Sequence, residues 1–425
     1  MRLSVFTGSW SIQAIAAVCG ISDQQGLLLV DRFAALLDKH LVQHVADLED
    51  EPRFTMLETL RAYALEQLTL SGDAETLRRR HATYYLEFVE RAEKDLVGPR
   101  ASIAMKQLSR EYENIRAVLH WAFSGTNADQ TALAIQLCSL LWRFWWIRGY
   151  IYEGQRWLDL AIANQAYASA SQLASIWYGS GILARVRGDF AQAIKALTTS
   201  LHLWREQQDL SGVARLLNSL GVLFFSQGNY EQAYAYFEES LGLFQTLKDD
   251  YFTARTLNNL GNVAYKQGDF EQAVQRYESG LKLMQQGNID YSTIALIKVN
   301  LADVARVRKH YTQALQLLHE GLNIYRELDD VESILFCLTN IIEIAIDLQQ
   351  AELVAQLLGA ADALYEQSGI ARSPNLTAAY KRHIATACAL IGEPSFEQGR
   401  ARGRATAIEP LLTTAMDTLI SETMQ

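Results

Sequence analysis

The chain has 425 residues, a formal net charge of −10 and 49% apolar residues. This apolar fraction can bury a large core, and the acidic balance argues against a broad footprint on nucleic acid or on an anionic membrane. Four widely spaced cysteines, at positions 19, 138, 337 and 388, favour reduced thiols over a disulfide framework or a metal site.

The apolar start of the chain does not predict a cleaved leader. Gly8, Ser9, Ser11 and Gln13 interrupt it, so the continuous apolar core of a signal peptide is lacking. The longest later apolar run, residues 134–147, is too short to cross a bilayer and contains an arginine. The sequence therefore predicts a cytoplasmic protein with no membrane partner.

The first 70 residues show the order of elements of a winged helix. Apolar periodicity predicts three helices, over Ser11–Cys19, Gly26–Lys39 and Glu58–Leu68. Between the second and third, residues 41–45 and 53–57 form two alternating runs around the acidic loop Asp47–Glu51, which predicts a β-hairpin.

A six-residue signature recurs about 40 residues apart along the chain. It reads GDFAQA at 188–193, GNYEQA at 228–233, GDFEQA at 268–273 and, in a degenerate copy, KHYTQA at 309–314. A fixed period of this length is typical of a solenoid, whose units bury a core only by stacking on neighbours. Such proteins usually present a binding surface, so the repeat favours binding over catalysis.

Each signature predicts the turn between two helices. Gly268 suits the left-handed residue that ends a helix, Asp269 suits the next N-cap, and Gln272 can complete a capping box. Small residues in the first helices predict the close approach of a neighbouring helix, at Gly181, Gly221, Gly261 and Ala302. Lys309 replaces the glycine in the fourth copy, at an expected cost of about 1 kcal/mol.

These positions resemble the tetratricopeptide repeat in its long variety. Its first helix carries N-x-L-G, matched at 218–221 and 258–261, and its second helix opens with the recurring signature. Degenerate hairpins are expected earlier, around residues 149–158, and later, over Asn340–Leu358. We therefore predict a mainly α fold: a tetratricopeptide-type α-solenoid preceded by a small winged-helix module.

The expected domain organisation has four parts. They are a winged-helix module over 1–70, a helical connector over 71–129, tetratricopeptide-like repeats over 130–365 and C-terminal capping helices over 366–425. All five prolines lie outside residues 100–373, which agrees with uninterrupted helices in that stretch.

Further motifs, spread in order over nearly the whole chain, resemble one bacterial family. They are LDKHLV at 37–42, RFxxLExxRxYA at 53–64, RHAxYY at 80–85, ENIRA at 113–117, WRFWWxRG at 142–149, LLGAA at 357–361 and a tail around Gly392–Gly403. They are similar to the winged-helix and repeat portion of bacterial signal-transduction ATPases (STAND type) and maltose-regulator-like transcriptional regulators. Only His40 departs locally, where the family usually has serine. The resemblance implies that a nucleotide-binding domain precedes the winged helix and that the repeats act as a sensor or partner-docking region.

The phosphate-binding loop of such ATPases is missing from the sequence. No G-x-x-x-x-G-K-[ST] motif occurs, and the dipeptide Gly-Lys is absent. We therefore expect no ATPase activity, no other enzymatic activity and no cofactor. The start of the chain, just after the position of such a domain, suggests a truncated relative, a fragment, or half of a split system with a separate nucleotide-binding subunit.

Other chemical motifs are weak. The G-x-G-x-x-A motif at 179–184 mimics a dinucleotide fingerprint but lies in a first helix, which favours helix packing. His40 and His44 have no third ligand in view, so a metal site is not expected. The basic run Arg78–His81 is interpreted as a solvated face or a contact with a neighbouring domain rather than a DNA contact.

Two readings of the winged helix remain. Residues 1–70 hold nine acidic and five basic side chains, and the second helix offers mainly leucine, so an internal hinge is favoured over DNA reading. Nucleic acid is therefore not the expected partner of this module, and a DNA-binding transcriptional regulator is kept as the alternative function. The favoured function is a non-enzymatic regulatory or scaffold protein that binds a protein, a peptide or a small effector.

The expected partner-binding groove is lined by the first helices of the repeats. Its predicted residues are Tyr178, Arg185, Arg215, Asn218, Arg255, Asn258, Asn262, Asp303 and Arg306. Asparagine at such places can hydrogen-bond a peptide backbone, and arginine can clamp carboxylates. The alternative is that they are ordinary solvated or internally paired side chains. A separate aromatic block is expected in the core, comprising Trp142, Trp145, Trp146 and Trp157.

Overall fold

A computed structural model describes residues 1–20, 33–45, 52–96, 100–125, 127–286, 290–368 and 374–423. It divides into two compact units, Met1–Leu223 and Phe224–Gln425, and each is considered by itself. The predicted helix Gly26–Lys39 is described only in part, and the predicted acidic loop Asp47–Glu51 lies outside the described residues.

The first unit opens with helices around a small antiparallel sheet. In order, these elements are a 3₁₀ helix Arg2–Val5, β1 Ser9–Ser11, α1 Ile12–Cys19, α2 (helical over the described residues 33–38), β2 Gln43–Val45, β3 Arg53–Thr55 and α3 Glu58–Leu70. The predicted hairpin is confirmed, because His44 of β2 pairs with Phe54 of β3. Strand β1 was not predicted, and it pairs on the other side of β3, where Trp10 lies opposite Phe54.

Seven further helices complete the first unit or cross its boundary. They are α4 Ala74–Lys94, α5 Ala101–Ser124, α6 Ala128–Ile147, α7 Ile151–Ala163, α8 Ala170–Val186, α9 Phe190–Glu206 and α10 Leu210–Ser226; a 3₁₀ turn, Gln165–Tyr167, precedes α8. Trp142, Trp145 and Trp157 are buried as expected. Trp146 is 38% exposed, so its predicted core position is wrong. It lies about 100° around the helix from Trp145, which turns it away from the core.

The described part of the second unit consists of helices. They are α11 Tyr230–Leu247, α12 Asp250–Gln267, α13 Phe270–Gln286, α14 Tyr291–Val307, α15 Tyr311–Glu327, α16 Val331–Asp347, α17 Ala351–Ser368, α18 Pro374–Ile391, α19 Glu393–Ala405 and α20 Ile408–Thr423. None of the described helices in either unit combines the length and hydropathy needed to cross a bilayer.

The turns between helices have the predicted left-handed residue. Its φ is +78° at Gly188, +79° at Gly228 and +83° at Gly268, and the fourth copy keeps it at Lys309, with φ +62°. At Asp269, the side chain accepts from the Gln272 backbone N–H at 3.0 Å, so the predicted N-cap is confirmed.

The predicted capping boxes are only partly present. The side chain of Asn229 caps α11. The side-chain carbonyl of Gln232 accepts from the side-chain amide of Asn229 at 3.0 Å, and not from the backbone N–H of Asn229 that a capping box requires. His310 makes no side-chain cap, because the fourth copy lacks a carboxylate or an amide at this place. A complete capping box occurs instead at Ser169 and Gln172, before α8.

Small residues permit close contacts between paired helices. Gly261 of α12 lies against the ring of Tyr277 in α13, and Gly181 of α8 lies against Leu197 in α9. The backbones themselves meet where α17 passes α19, at Gly359 and Gly403, so a side chain at either place would collide with the opposite main chain. Both glycines belong to motifs that carried the family resemblance.

Substitution of a turn glycine tests the left-handed geometry. A methyl group on Gly268 would meet no other atom, so Gly268→Ala should lower the free energy of unfolding by about 1–2 kcal/mol through backbone strain alone. The matched control is Gly242→Ala within α11, which is equally open and should raise stability by up to about 1 kcal/mol. Urea unfolding curves check both; equal effects of the two changes would contradict the assigned turn.

Candidate functional site

A buried carboxylate fastens the winged-helix module to the helices that follow it. Glu111 of α5 accepts from the Arg53 guanidinium at 2.6 Å and from the Tyr85 hydroxyl at 2.7 Å. The side-chain amide of Asn114 donates to the same carboxylate at 3.2 Å and to the Ser9 carbonyl at 2.9 Å. The arrangement links β1, β3, α4 and α5 through one set of polar side chains.

This network gives a structural role to Arg53 and Asn114, two residues of the sequence motifs. Arg53 is 3% exposed, and its guanidinium also donates to the Ser9 hydroxyl at 3.0 Å and to the Ser9 carbonyl at 2.9 Å. Because this wing residue is buried and hydrogen-bonded inside the protein, it cannot reach a DNA phosphate. Arg53 and Asn114 both carried the family resemblance. Glu111, which joins them, was missed, because a single glutamate in a helical pattern looks like an exposed residue.

In the first unit, the four predicted partner residues lie on α8 and α10. Tyr178 shares a hydrogen bond of 2.7 Å with Ser219, and its ring packs edge-on against Trp142. Arg215 donates to the Ser211 carbonyl at 3.3 Å. Asn218 lies on the same helix, α10. On α8, burial lowers the pKa of Arg185. The hydrogen bond from Tyr178 to Ser219 connects these two first helices.

In the second unit, two of the predicted asparagines bind neighbouring helices. Asn258 is 3% exposed, and its carbonyl accepts from the Asn300 side-chain amide at 2.7 Å. Asn262 accepts from the Tyr277 hydroxyl at 2.6 Å. Arg255 donates to the Tyr251 hydroxyl at 3.2 Å within its own helix. The two asparagines therefore stabilise the packing of α12 against α14 and α13.

Asp303 and Arg306 belong to a larger cluster, which we call the first-helix patch. Its members are Tyr265 and Lys266 on α12, Asp303 and Arg306 on α14, and Glu343 and Asp347 on α16. Arg306 pairs with the carboxylates of Glu343 at 2.7 Å and Asp347 at 2.9 Å. The patch therefore crosses the first helices of three consecutive hairpins.

Burial gives the patch unusual electrostatics. It raises the pKa of Asp303 to about 6, with Glu343 adding to the rise while Arg306 and Lys266 oppose it. The pKa of Glu343 is lowered, first by the neighbouring His383, whose Nε2 lies 3.8 Å from the carboxylate. Burial and the nearby Asp303 raise the pKa of Tyr265. Asp303, Glu343 and Asp347 thus share this region with Arg306 and Lys266, and Arg382 also acts to lower the pKa of Glu343.

The repeat spacing could have located the patch members that sequence reasoning missed. Tyr265, Arg306 and Asp347 are spaced 41 residues apart, close to the period of the signature. They therefore occupy equivalent places on successive first helices. Only the middle residue of the three was selected, because candidates were sought one repeat at a time.

The remaining candidate motifs do not form a chemical site among the described residues. Gly179 of the dinucleotide-like motif is part of α8 and lies against the side chain of Trp142 in α6. The interpretation of this motif as a helix-packing contact is therefore confirmed. His40 is in the turn before β2 and His44 is within that strand. Over the described ranges, no group of His, Cys, Asp or Glu side chains is arranged to hold a metal ion. Cys19, Cys138 and Cys337 are buried free thiols, while Cys388 is half-buried.

Comparison with known families matches both parts of this architecture. A model of the winged helix-turn-helix domain matches residues 1–69, and a tetratricopeptide repeat model matches residues 172–246 and 212–286. The chain therefore contains a winged-helix module at residues 1–69 and tetratricopeptide repeats over residues 172–286. The expected fold class is therefore confirmed, as is the resemblance carried by the motifs.

One segment of the chain is similar to proteins that are named as transcriptional regulators. A segment of 169 residues is 31% identical to a putative HTH-type transcriptional regulator of Mycobacterium tuberculosis and, equally, to one of Mycobacterium bovis. The match covers 39% of this chain and spans 18% of the length of each relative.

Solved structures with a similar course of the chain have low sequence identity. A signal-transduction ATPase (STAND) with a tetratricopeptide repeat sensor from Pyrococcus horikoshii is 13% identical, with a TM-score of 0.49, over 98% of this chain and 64% of that one. NprR in complex with its cognate peptide NprX is 15% identical, with a TM-score of 0.46, over 97% of both chains. The apo form of RapI is 13% identical, with a TM-score of 0.48, over 82% of this chain and 96% of that one.

Removal of the Glu111 charge should lower the free energy of unfolding far more than removal of the charge of an exposed glutamate that also pairs with an arginine. Glu111→Gln leaves Arg53 buried without its counter-charge and should cost about 3–5 kcal/mol of unfolding free energy. The matched change Glu58→Gln removes the partner of Arg61, and the Glu58 side chain is 73% exposed, so its cost should stay below about 1 kcal/mol. Denaturant titration of both variants checks this; similar losses would show that Glu111 is not the buried anchor.

Proposed function

We propose that this protein is a non-enzymatic regulator whose repeats dock a protein or peptide segment, and that a basic group of the partner enters the first-helix patch. The observation that carries the proposal is Asp303, a carboxylate held among Arg306, Glu343 and Tyr265 with its pKa raised to about 6. A carboxylate that burial leaves poorly solvated gains from a further cation, such as a lysine, an arginine or a peptide N-terminus.

The first helices of each unit, considered by itself, also supply groups that suit a bound segment. The arginines and asparagines on these helices, and the hydroxyl groups of Tyr178 and Tyr265, offer hydrogen-bonding side chains. Tyr178, Arg185, Arg215 and Asn218 stay proposed partner contacts in the first unit, and Arg255 and Asn262 in the second. Asn258 acts in this proposal by fixing the position of α14, since its carbonyl is bound to Asn300.

A second candidate function is DNA binding through the winged helix, which the HTH-type regulators among the sequence relatives favour. The burial of Arg53 and the excess of acidic residues in the module weigh against it. Gel-shift titration with salt separates the two functions, because sequence-specific binding persists at moderate salt while non-specific binding is lost.

The raised pKa of Asp303 predicts a gain of stability when its charge is removed. Its pKa rises from an ordinary 3.8 to about 6, so the folded protein holds the proton more tightly, and this stabilisation is lost as the pH rises through 6. Asp303→Asn should therefore be more stable than the wild type by about 1–2 kcal/mol at pH 8, with little difference at pH 4. Unfolding curves at several pH values check this.

The matched control for that experiment is Asp329→Asn. Asp329 is exposed in the turn before α16, with a φ of +52°, a conformation that asparagine also adopts readily. Its replacement should leave the stability unchanged at both pH values. A loss of stability in Asp303→Asn at pH 8 would contradict the electrostatic cost assigned to the patch.

Binding is tested with a displayed library of random peptides selected against the full chain. The selected peptides should be enriched in lysine, arginine or a free N-terminus, and their affinity should fall at least about tenfold for Asp303→Asn. Asp329→Asn should bind them like the wild type. Peptides that lack basic groups, or that bind Asp303→Asn unchanged, would overturn the proposed docking mode.

A further inference from the structure

The first unit contains a cavity that the proposed docking function does not use. Its volume is about 450 Å³, and it lies among the N-terminal 3₁₀ helix, α3, α4 and α5. Its polar walls include Arg61, Arg78, His81 and His120, together with hydroxyl groups, and none of the described residues that line it is acidic. The volume falls within the usual range of small-molecule sites.

The two arginines of the cavity differ in how far they are already neutralised. Arg61 forms a bidentate ion pair with Glu58, at 2.6 Å and 2.8 Å, and donates to the Ser4 carbonyl at 3.3 Å. Arg78 makes no ion pair with any carboxylate in the described part of the chain. Its guanidinium group is therefore available to an oxyanion, for which the planar fork of arginine is well suited.

His81 provides a second, independent indication of a ligand. It is 3% exposed, and within the described residues its Nε2 has no hydrogen-bond partner. Its ring packs edge-on against Phe6 and Tyr85. Burial lowers the pKa of His81 to about 4, so the ring is neutral at pH 7, and a nearby negative charge would favour its protonation.

The organic part of a ligand also has a complementary surface. Trp121, Leu65 and Val118 line the same cavity and form an apolar wall beside the basic groups. The Trp121 indole N–H donates to Glu75 at 3.3 Å, which holds the ring in place. A cavity lined by both basic and apolar side chains suits a small molecule that carries an oxyanion on an organic body.

We infer that this cavity binds a small phosphate-bearing molecule, with its oxyanion facing Arg78 and the Nε2 of His81 and its organic body against Trp121. The site lies between the winged-helix module and helices α4 and α5, which Glu111 joins. Binding there adds contacts across that junction and so stabilises it. This effector site shares no residue with the proposed peptide docking, so the two proposals are independent.

The test measures binding to the full chain by calorimetry and by thermal shift. The probes are inorganic phosphate, ribose 5-phosphate and AMP, each compared with potassium chloride at matched ionic strength. At least one phosphate probe should bind saturably and raise the melting temperature. Tighter binding of AMP than of ribose 5-phosphate would show that the apolar wall receives a planar group, while equal binding would show recognition of the phosphate alone; both support the site.

Variants of two neighbouring arginines locate the site. Arg78→Gln should weaken binding of the probe at least about tenfold, or 1.4 kcal/mol, and Arg78→Lys should have an intermediate effect. Arg79→Gln is the matched control, because Arg79 is exposed on the same helix and does not line the cavity. It should bind like the wild type.

Two results would overturn the inference. One is the absence of saturable binding of all three probes at millimolar concentrations. The other is equal weakening by Arg78→Gln and Arg79→Gln, which would indicate a general electrostatic attraction rather than a site. Neither result bears on the peptide selection, so the two proposals fail separately.

Discussion

The close packing of paired helices is the constraint on which the remaining features depend. Where Gly261 meets the ring of Tyr277, the two helices approach too closely for any larger side chain. This contact fixes the rotation of the first helix, and with it the direction of every other side chain on that helix. Equivalent positions of successive first helices then lie side by side, as Arg306 and Asp347 do.

The same geometry accounts for the electrostatics of the first-helix patch. Side chains that alternate between carboxylate and guanidinium are brought together at a surface where burial makes each charge costly. Arg306 offsets Glu343 and Asp347, and Asp303 is left with the largest unbalanced cost. A charged residue whose burial lowers stability is typical of a binding site, where a partner supplies the missing interaction.

Sequence reasoning predicted the repeated elements better than the contacts between distant residues. The turns at Gly188 and Gly268, the hairpin and the mainly α fold follow from local rules, because glycine, N-caps and apolar period act within a few residues. Strand β1 escaped notice because three residues carry too weak an alternation, and it forms only by pairing with β3. The role of Glu111 depends on residues 58 positions away in the chain, which no local pattern reveals. The domain boundaries and the partner-binding residues stay predictions.

The pKa of the Asp303 carboxyl tests the account most directly, because it reports both the register of the first helices and the burial of the patch. It can be followed by carbon NMR in protein labelled at aspartate, with Asp303→Asn assigning the signal. The account predicts a titration midpoint of about 6. A midpoint near the ordinary aspartate value of about 4 would contradict it, because the carboxylate would then be solvated and need no partner.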